Sequence, residues 1–272
     1  MKVTVIEAQR RFFDLRLREA WQRRELLRVF VWRAIAARYR QMALGILWSV
    51  FEPLALLAMT TVVFGLLLRA PTNGYPYPVF AFAGLLPWTL FSRATLAAAG
   101  SLVENIALIS KVYFPRLLLP VAAVVREAVD VGVTLVLMLG FAWAYGFPPN
   151  AKLLVLPVVL AFALAFALGI GLWAASVMVR FRDLRPVLTI ALQAGLYASP
   201  ILYSPSVVPA VLRPVYEANP MYWAIQASRW VLLGQPFEPT PGLAVALALV
   251  LVLFVSGLYV FSFLERSTVD VQ

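Results

Sequence analysis

The sequence contains no cysteine and no histidine, and these two absences exclude several kinds of chemistry. Disulfides, thiol nucleophiles, imidazole bases and metal sites built from Cys or His are ruled out. The GxxxxGK[ST] loop that cradles nucleotide phosphates is also missing, and no Asp/Glu cluster offers a carboxylate metal site. We therefore expect a protein that is not an enzyme and that binds neither a cofactor nor ATP itself.

Charged residues are scarce as well, at 13% of 272 residues, whereas hydrophobic residues make up 62% and the mean hydropathy is +0.86. A soluble domain of this length could not bury so much apolar surface, so lipid must surround most of the chain. The net charge is +10. The basic residues are divided unevenly between alternate loops. This distribution is typical of a protein oriented in a membrane and not of one that binds nucleic acid.

Six apolar runs are long enough to cross about 30 Å of hydrocarbon, which takes about 20 residues. They lie at about 47–68, 79–99, 117–145, 153–179, 187–203 and 242–264. The predicted fold is an all-α membrane protein with six transmembrane helices in residues 47–264, between a cytoplasmic N-terminal region (1–46) and a cytoplasmic tail (265–272). Basic residues place both termini inside, because the outer loops keep only Arg69, Lys152, Arg213 and Arg229.

The first 42 residues carry eleven of the basic residues. One apolar stripe runs through them at helical spacing, formed by Leu27, Phe30, Val31, Ala34 and Ile35. This pattern favours an amphipathic helix lying on an anionic leaflet over a solvated basic tail.

The stretch Ser101–Arg116, SLVENIALISKVYFPR, predicts a short amphipathic helix between the second and third spans. Its apolar face comprises Leu102, Ile106, Ile109 and Tyr113, and Pro115 ends it. With both termini inside, the helix lies in the cytoplasm. It either contacts a soluble partner or lies on the lipid headgroups.

The segment from Ser204 to Pro241 is rich in proline yet is not hydrophilic. Asn219-Pro220 and Gly234 bracket a predicted helix at 221–233, which is too short to span, and 206–216 predicts another. Such helices either re-enter the membrane beside a pore, as a lid or gate, or lie on the outer surface.

Aromatic residues gather near the ends of the predicted spans. Some belong to the aromatic belts of the two interfaces, and others are candidates to line a conduit for sugars, whose C–H faces stack on aromatic rings. The conduit candidates are Trp48, Phe51, Trp88, Phe91, Tyr197 and Tyr203. Charged residues inside the spans, namely Glu52, Arg93, Arg126, Glu127 and Asp130, are explained by snorkelling and mutual pairing almost as well as by function.

Six motifs occur in the same order as in a known protein family, and together they extend over most of the chain. They are RYRQMALGILWSVFEPL leading into TTVVFG, FAGLLPWTLFS, LISKVYFPR, RFRDLRPVLTI, YASPILY and NPMYWAIQASRWVLLG. From about Arg38 to Gly234 the sequence resembles the transmembrane permease subunit of type-2 ATP-binding-cassette exporters of polysaccharides, such as the O-antigen, capsule and teichoic-acid permeases.

This resemblance implies a homodimer around one pore in the bacterial inner membrane, with two copies of a separate ATPase that binds ATP and Mg²⁺. The substrate would be a lipid-linked polysaccharide that approaches along the interfacial helix and the surrounding lipids. Residues implied in coupling to the ATPase are Glu104, Asn105, Lys111, Tyr113 and Arg116, and those implied in the outer gate are Asn219, Tyr222 and Trp223.

Arg38 and Arg40 are candidates to contact the pyrophosphate of a polyprenyl carrier, a hypothesis that rests on their charge. Two other functions compete with polysaccharide export. A type-2 exporter of a drug or small lipid has the same fold, because fold does not determine cargo. A membrane-embedded enzyme or an ATP-independent channel is the second alternative.

Overall fold

The computed structural model describes residues 22–39, 47–181 and 183–267, and the regular structure in these ranges is helical. Its α-helices are α1 (Arg24–Tyr39), α2 (Leu47–Thr60), α3 (Tyr77–Glu104), α4 (Ile106–Ile109), α5 (Leu118–Ala144), α6 (Leu156–Met178), α7 (Leu184–Ala198), α8 (Arg213–Ala218), α9 (Pro220–Leu233) and α10 (Pro241–Ser267). A π-helical segment, Thr61–Leu67, extends α2, and a 3₁₀ turn, Ala151–Val155, precedes α6.

Four helical segments among the described residues are long and apolar enough to cross a membrane: Leu47–Leu67, Tyr77–Glu104, Ala151–Met178 and Pro241–Phe263. They correspond to the first, second, fourth and sixth predicted spans. The third predicted span is α5, whose first half carries Arg126, Glu127 and Asp130.

The fifth predicted span is α7, which has 15 residues and ends at Ala198 instead of continuing to 203. It ends there because Ser199 is extended, with φ −101° and ψ 147°, as expected for a residue that precedes a proline. At 1.5 Å per residue α7 is about 22 Å long.

Helix α3 is the centre of the bundle and packs against α5, α6 and α9. Helix α10 packs on the other side of α6, where glycines let the two backbones approach closely. A Cβ atom at Gly257 would lie 2.7 Å from the carbonyl oxygen of Gly169. Trp173 Nε1 also donates to Ser256 Oγ across this contact, at 3.0 Å.

The structure corrects the prediction of a single helix over 101–116. Helix α3 continues to Glu104, the chain breaks at Asn105, and α4 is only four residues long. The side chain of Asn105 donates to the carbonyl oxygen of Ser101 at 2.9 Å, which supports the end of α3. We call the side of the bundle that carries this break the α4 end, and the opposite side the α8 end.

Helix α1 lies against α5, and its predicted apolar stripe forms the half-buried face. The ring of Phe30 in this stripe lies 5.0 Å from that of Phe114, which follows α4. The stripe is thus covered in part by the protein itself, at the α4 end of the bundle.

At the α8 end the chain forms two 3₁₀ turns, Pro205–Val207 and Ala210–Leu212, and then α8 and α9. The predicted caps of α9 are confirmed. Asn219 Oδ1 accepts a hydrogen bond from the backbone N–H of Met221 at 3.0 Å, and Gly234 ends the helix with a φ of 72°. With one face against α3 and α6, α9 is buried over most of its length.

Candidate conduit, coupling and gate sites

Four charged residues form a cluster where α1 meets α5. Arg38 lies 3.2 Å from Glu127 and 2.9 Å from Asp130, and Arg126 also binds Glu127. Both carboxylate side chains are only 3% exposed, whereas the Arg38 side chain is 22% exposed. Buried carboxylates need cations and hydrogen bonds close by, so this cluster joins α1 to α5.

The cluster bears on the predicted carrier site. Two carboxylates already contact Nη1 of Arg38, so a pyrophosphate would compete with them for the charge of this guanidinium. Arg40, the other candidate, lies outside the described residues. A further pair, Arg93 with Glu52 at 2.5 Å, joins α3 to α2. The structure thus pairs the charges that the sequence places within the first three predicted spans.

The predicted coupling residues lie together at the α4 end. Glu104, the last residue of α3, forms an ion pair of 3.1 Å with Arg185, in the first turn of α7. Both side chains are about half exposed. The pair therefore connects two turns that lie far apart in sequence but adjacent on the same surface.

Beyond α4 the chain exposes a mixed surface, which we call the α4 patch: Ile106, Lys111, Val112 and Tyr113. Its three apolar members are 54–66% exposed. Arg23, before α1, places its guanidinium 5.9 Å from the centre of the Tyr113 ring, and Phe114 is buried beneath. Arg116, the last predicted coupling residue, is half-buried just before α5.

The predicted conduit aromatics fall into two groups. Trp88 and Phe91 are buried in the core of the chain, where Phe91 stacks on Phe166 with ring centres 4.8 Å apart. Trp48 and Phe51, in contrast, are exposed neighbours on α2, with ring centres 5.6 Å apart. Of these four residues, the two on α2 are the ones that face outward from the chain.

Tyr197 is exposed near the end of α7, and its carbonyl oxygen accepts a hydrogen bond from the Tyr203 hydroxyl at 2.9 Å. Tyr203 also shares a hydrogen bond of 3.0 Å with the hydroxyl of Tyr216. Burial, together with this contact to Tyr216, raises the pKa of Tyr203 above its ordinary value. Through its hydroxyl, Tyr203 links the end of α7 to α8.

Polar and aromatic residues recur every four positions along one side of α7: Arg185, Thr189, Gln193 and Tyr197. We call them the α7 stripe. Leu192 is the one buried residue of this helix, so the stripe is not covered by the described part of the chain. Arg185 pairs with Glu104, and Thr189 Oγ1 donates to the carbonyl oxygen of Arg185. The side chains of Gln193 and Tyr197 need water or protein beside them, because lipid cannot satisfy their hydrogen bonds.

Arg229 in α9 is a functional candidate that the sequence analysis treated only as an outer loop charge. It is fully buried, and its guanidinium carbon lies 3.5 Å from the centre of the Phe80 ring. It donates to the carbonyl oxygens of Ile201 at 2.7 Å and Phe80 at 3.4 Å. Arg229 therefore joins α9, α3 and the turn after α7. The sequence signal that could have identified Arg229 is that it is a lone arginine, near Gln226, in an otherwise apolar helix.

Two of the three predicted gate residues, Tyr222 and Trp223, line a cavity at the α8 end, and the third, Asn219, lies at the start of the same helix. Asn219 caps α9 and also donates to Ser199 Oγ at 3.0 Å, whereas Tyr222 and Trp223 border a cavity of about 320 Å³. Trp223 Nε1 donates to the carbonyl oxygen of Glu217 at 2.6 Å. The cavity lies between the 204–217 segment, α9 and the loop that leads to α10.

Residues 25–233 match the ABC-2 type transporter family. The chain belongs to this family. An ABC-2 transporter permease is a membrane component of a transporter and not an enzyme. This agrees with the apolar helices and with the absence of cysteine, histidine and a P-loop from the sequence.

Three relatives of this ABC-2 chain carry transport functions in their names. The O-antigen export system permease protein RfbA of Myxococcus xanthus is 34% identical over 192 residues, 71% of this chain and 73% of that protein. RfbA of Klebsiella pneumoniae is 26% identical, over 72% of this chain and 76% of its own length. The polysialic acid transport protein KpsM of Escherichia coli is 27% identical, over 72% and 77% respectively.

Proposed function

We propose that this ABC-2 permease is the transmembrane subunit of an exporter that moves a lipid-linked polysaccharide out of the cytoplasm. The observation that carries the proposal is the similarity, over about seven tenths of the chain, to permeases named for the export of O-antigen and the transport of polysialic acid. The polysaccharide would be similar to an O-antigen or a teichoic acid.

The energy source in this proposal is a separate ATPase, because the sequence has no P-loop. The α4 patch is the proposed docking surface, since it exposes apolar side chains beside Lys111 at one end of the bundle. Glu104 and Arg185 would pass movement of that surface to α3 and α7, the helices in which they lie. Two ATPase copies would serve a homodimer of the permease.

The conduit is proposed to form between the two copies of the chain. The α7 stripe supports this, because the side chains of Gln193 and Tyr197 need a wet or protein-lined surface. With α5 and α7 as the third and fifth spans, six helices cross the bacterial inner membrane and both termini lie in the cytoplasm. Trp48, Phe51 and Tyr197 are then the proposed aromatic contacts of the sugar chain.

Helices α8 and α9 are the proposed gate at the outer exit, with Tyr222 and Trp223 at its cavity and Asn219 as the N-cap of α9. Arg38 and Arg40 are the proposed contacts of the carrier pyrophosphate. At Arg38 the pyrophosphate would compete with Glu127 and Asp130, and weaker ion pairs would loosen α1 from α5. Entry of the carrier would thereby be coupled to movement of the interfacial helix.

Depletion of the protein in its native cell tests the proposal. We expect finished lipid-linked polysaccharide to accumulate on the cytoplasmic side and to disappear from the surface. Re-expression of the intact chain is the control and should restore surface polysaccharide. Normal surface polysaccharide in a depleted cell without a second exporter would contradict the proposal and favour a drug or small lipid as cargo.

A further inference from the structure

The membrane span that begins with α2 is not a regular helix throughout. Its second part, Thr61–Leu67, is π-helical, and we call it the π segment. The wide turns continue to its end, where the N–H of Leu68 donates to the carbonyl oxygen of Val63 at 3.0 Å. A π-helical turn holds one residue more than an α-helical turn, and such turns are rare and frequently lie at functional sites. Sharp bends in long helices also occur at them.

The π form is not the one that best satisfies this stretch of the chain. None of the residues of the π segment is fully buried. The hydroxyl of Thr61 is buried without a hydrogen-bond partner among the described residues. In contrast, Thr60 in the preceding α-helical turn donates to the carbonyl oxygens of Leu56 and Leu57, at 2.9 Å and 3.0 Å. An α-helical turn at Thr61 would offer its hydroxyl a carbonyl oxygen in the same way.

The far side of the π segment is anchored at the α8 end. Gly65 lies so close to Tyr77 that a Cβ atom at the glycine would meet the ring at 2.9 Å. The Tyr77 hydroxyl donates to the carbonyl oxygen of Leu202 at 3.1 Å, in the turn after α7. The N–H of Ser204 in the same turn donates to the carbonyl oxygen of Pro71 at 3.0 Å. These contacts fix the end of the span to the turn after α7.

The near side, α2 itself, is held more loosely. Its ion pair with α3 joins Glu52 and Arg93, whose side chains are 46% and 25% exposed, and partly exposed pairs contribute little. Only 17% of the apolar stretch within Leu47–Leu67 is buried by the chain. Segments with few buried contacts are the ones that open or move most readily. The span thus has one anchored end and one loosely held end, with the π segment between them.

From this asymmetry we infer that the π segment is a hinge, about which α2 moves relative to the α8 end when the transporter binds ATP. Conversion of one π-helical turn to an α-helical turn would rotate α2 by about 100°, the angle that one residue makes in an α-helix. Trp48 and Phe51 would rotate with it. That this movement changes the wall of the conduit rests on the proposed function, whereas the hinge rests on the contacts described above.

Deletion of Val62, a 49% exposed residue of the π segment, tests the hinge. With one residue fewer, the segment forms an α-helix and the chain on either side keeps its orientation. The melting temperature in nanodiscs should be at or above that of the unaltered protein, because Thr61 gains an acceptor, whereas export of the polysaccharide should be lost.

Deletion of Val252 is the matched control. This residue is 62% exposed, and it lies in α10, which has no π-helical turn to absorb the change. Gly257 would therefore rotate away from Gly169 by about 100°. The melting temperature of this variant should fall below that of the unaltered protein.

The movement can be measured directly, because the protein has no cysteine and introduced cysteines can be spin-labelled. Met59→Cys lies before the π segment and Leu68→Cys after it, and each is paired with Val158→Cys in α6, all at exposed positions. Distances are measured in the complex of permease and ATPase in lipid nanodiscs. Labelled chains are diluted with unlabelled chains, so that each measured pair lies within one chain. A non-hydrolysable ATP analogue should shift the Met59–Val158 distance and leave the Leu68–Val158 distance unchanged.

The same labels separate the π segment from a second place where α2 can bend. Pro53 lies inside α2, and proline also bends helices. Met59 follows Pro53, so a bend at Pro53 alone would leave the Met59–Val158 distance unchanged. In the variant that lacks Val62, the analogue should no longer shift this distance.

Four results would overturn the inference: a Met59–Val158 distance that the analogue leaves unchanged, a shift that survives deletion of Val62, normal export by that deletion variant, or its unfolding. Depletion reads the proposed function separately. Export of the polysaccharide without the shift would refute the hinge alone. A shift that depends on Val62, in a protein whose depletion leaves the surface polysaccharide intact, would refute the proposed cargo and leave the hinge standing.

Discussion

Arg38 on α1 lies 2.9 Å from Asp130 on α5, and the same guanidinium contacts Glu127. This contact connects an amphipathic helix to the charged first half of a predicted membrane span. Arg38 thus adds an ionic contact to the junction that the apolar face of α1 forms with α5.

Arg38→Gln should lower the free energy of unfolding by about 2 kcal/mol, because it leaves two buried carboxylates short of a cation. Thermal unfolding in nanodiscs measures the effect. Arg33→Gln, at an exposed position of the same helix, is the matched control and should leave the melting temperature unchanged. Equal melting temperatures for the two variants would show that the ion pairs contribute nothing.

A variant that combines Arg38→Gln with Asp130→Asn separates anchoring from carrier binding. It removes one charge of each sign and keeps the Arg126–Glu127 pair, so much of the stability lost in Arg38→Gln should return. Export should remain impaired if Arg38 binds pyrophosphate. Recovery of export together with stability would show that Arg38 only holds α1 in place.

Arg229→Lys should destabilise the protein by about 2 kcal/mol, since an ammonium group cannot reproduce the planar contacts with Ile201, Phe80 and Gln226. Thermal unfolding is again the measurement. Arg213→Lys, at an exposed position of α8, makes the same change where no such contacts exist among the described residues. A tolerated Arg229→Lys would mean that α9 is held by its apolar face alone.

Gly257→Ala should lower stability by about 1–3 kcal/mol, because the new methyl group would lie 2.7 Å from the carbonyl oxygen of Gly169 and force α6 and α10 apart. Gly140→Ala is the control, since a Cβ atom there meets nothing within 4 Å. If both variants have the same melting temperature as the unaltered protein, the close approach of α6 and α10 is not present in the membrane.

Val112→Asp should uncouple the permease from its ATPase while changing stability by less than about 0.5 kcal/mol, because the side chain is 54% exposed. Co-purification of the ATPase and glycan-stimulated ATP hydrolysis are the readouts. Val211→Asp makes the same change at the opposite end, where valine is 88% exposed, and should leave both unaltered. Normal ATPase binding by Val112→Asp would show that the α4 patch is not the docking surface.

Local sequence patterns predicted the parts of the fold that depend on local physics. The caps of α9 follow from Asn219-Pro220 and Gly234, because capping is decided within a few residues. The buried face of α1 follows from its helical periodicity. The length of the helix at 101–116 does not follow from its periodicity, because α3 continues into this stretch as far as Glu104 and the chain breaks at Asn105.

The orientation of side chains inside the membrane region could not be predicted from the sequence. Buried and exposed positions of a span are both apolar, so the sequence pattern was the same for Trp88 and Phe91, which are buried, as for Trp48 and Phe51, which are exposed. The partners of Arg229 could not be predicted from the sequence either. Its carbonyl acceptors at Phe80 and Ile201 are 149 and 28 residues away along the chain.

Reconstitution tests the central claim most directly. The permease and its ATPase partner are placed in liposomes that carry lipid-linked polysaccharide, and its transfer across the bilayer is followed by its protection from an added glycosidase. We expect transfer that requires ATP and stops with Val112→Asp. Transfer that proceeds without the ATPase, or ATP hydrolysis that moves small lipids but leaves the polysaccharide in place, would contradict the account.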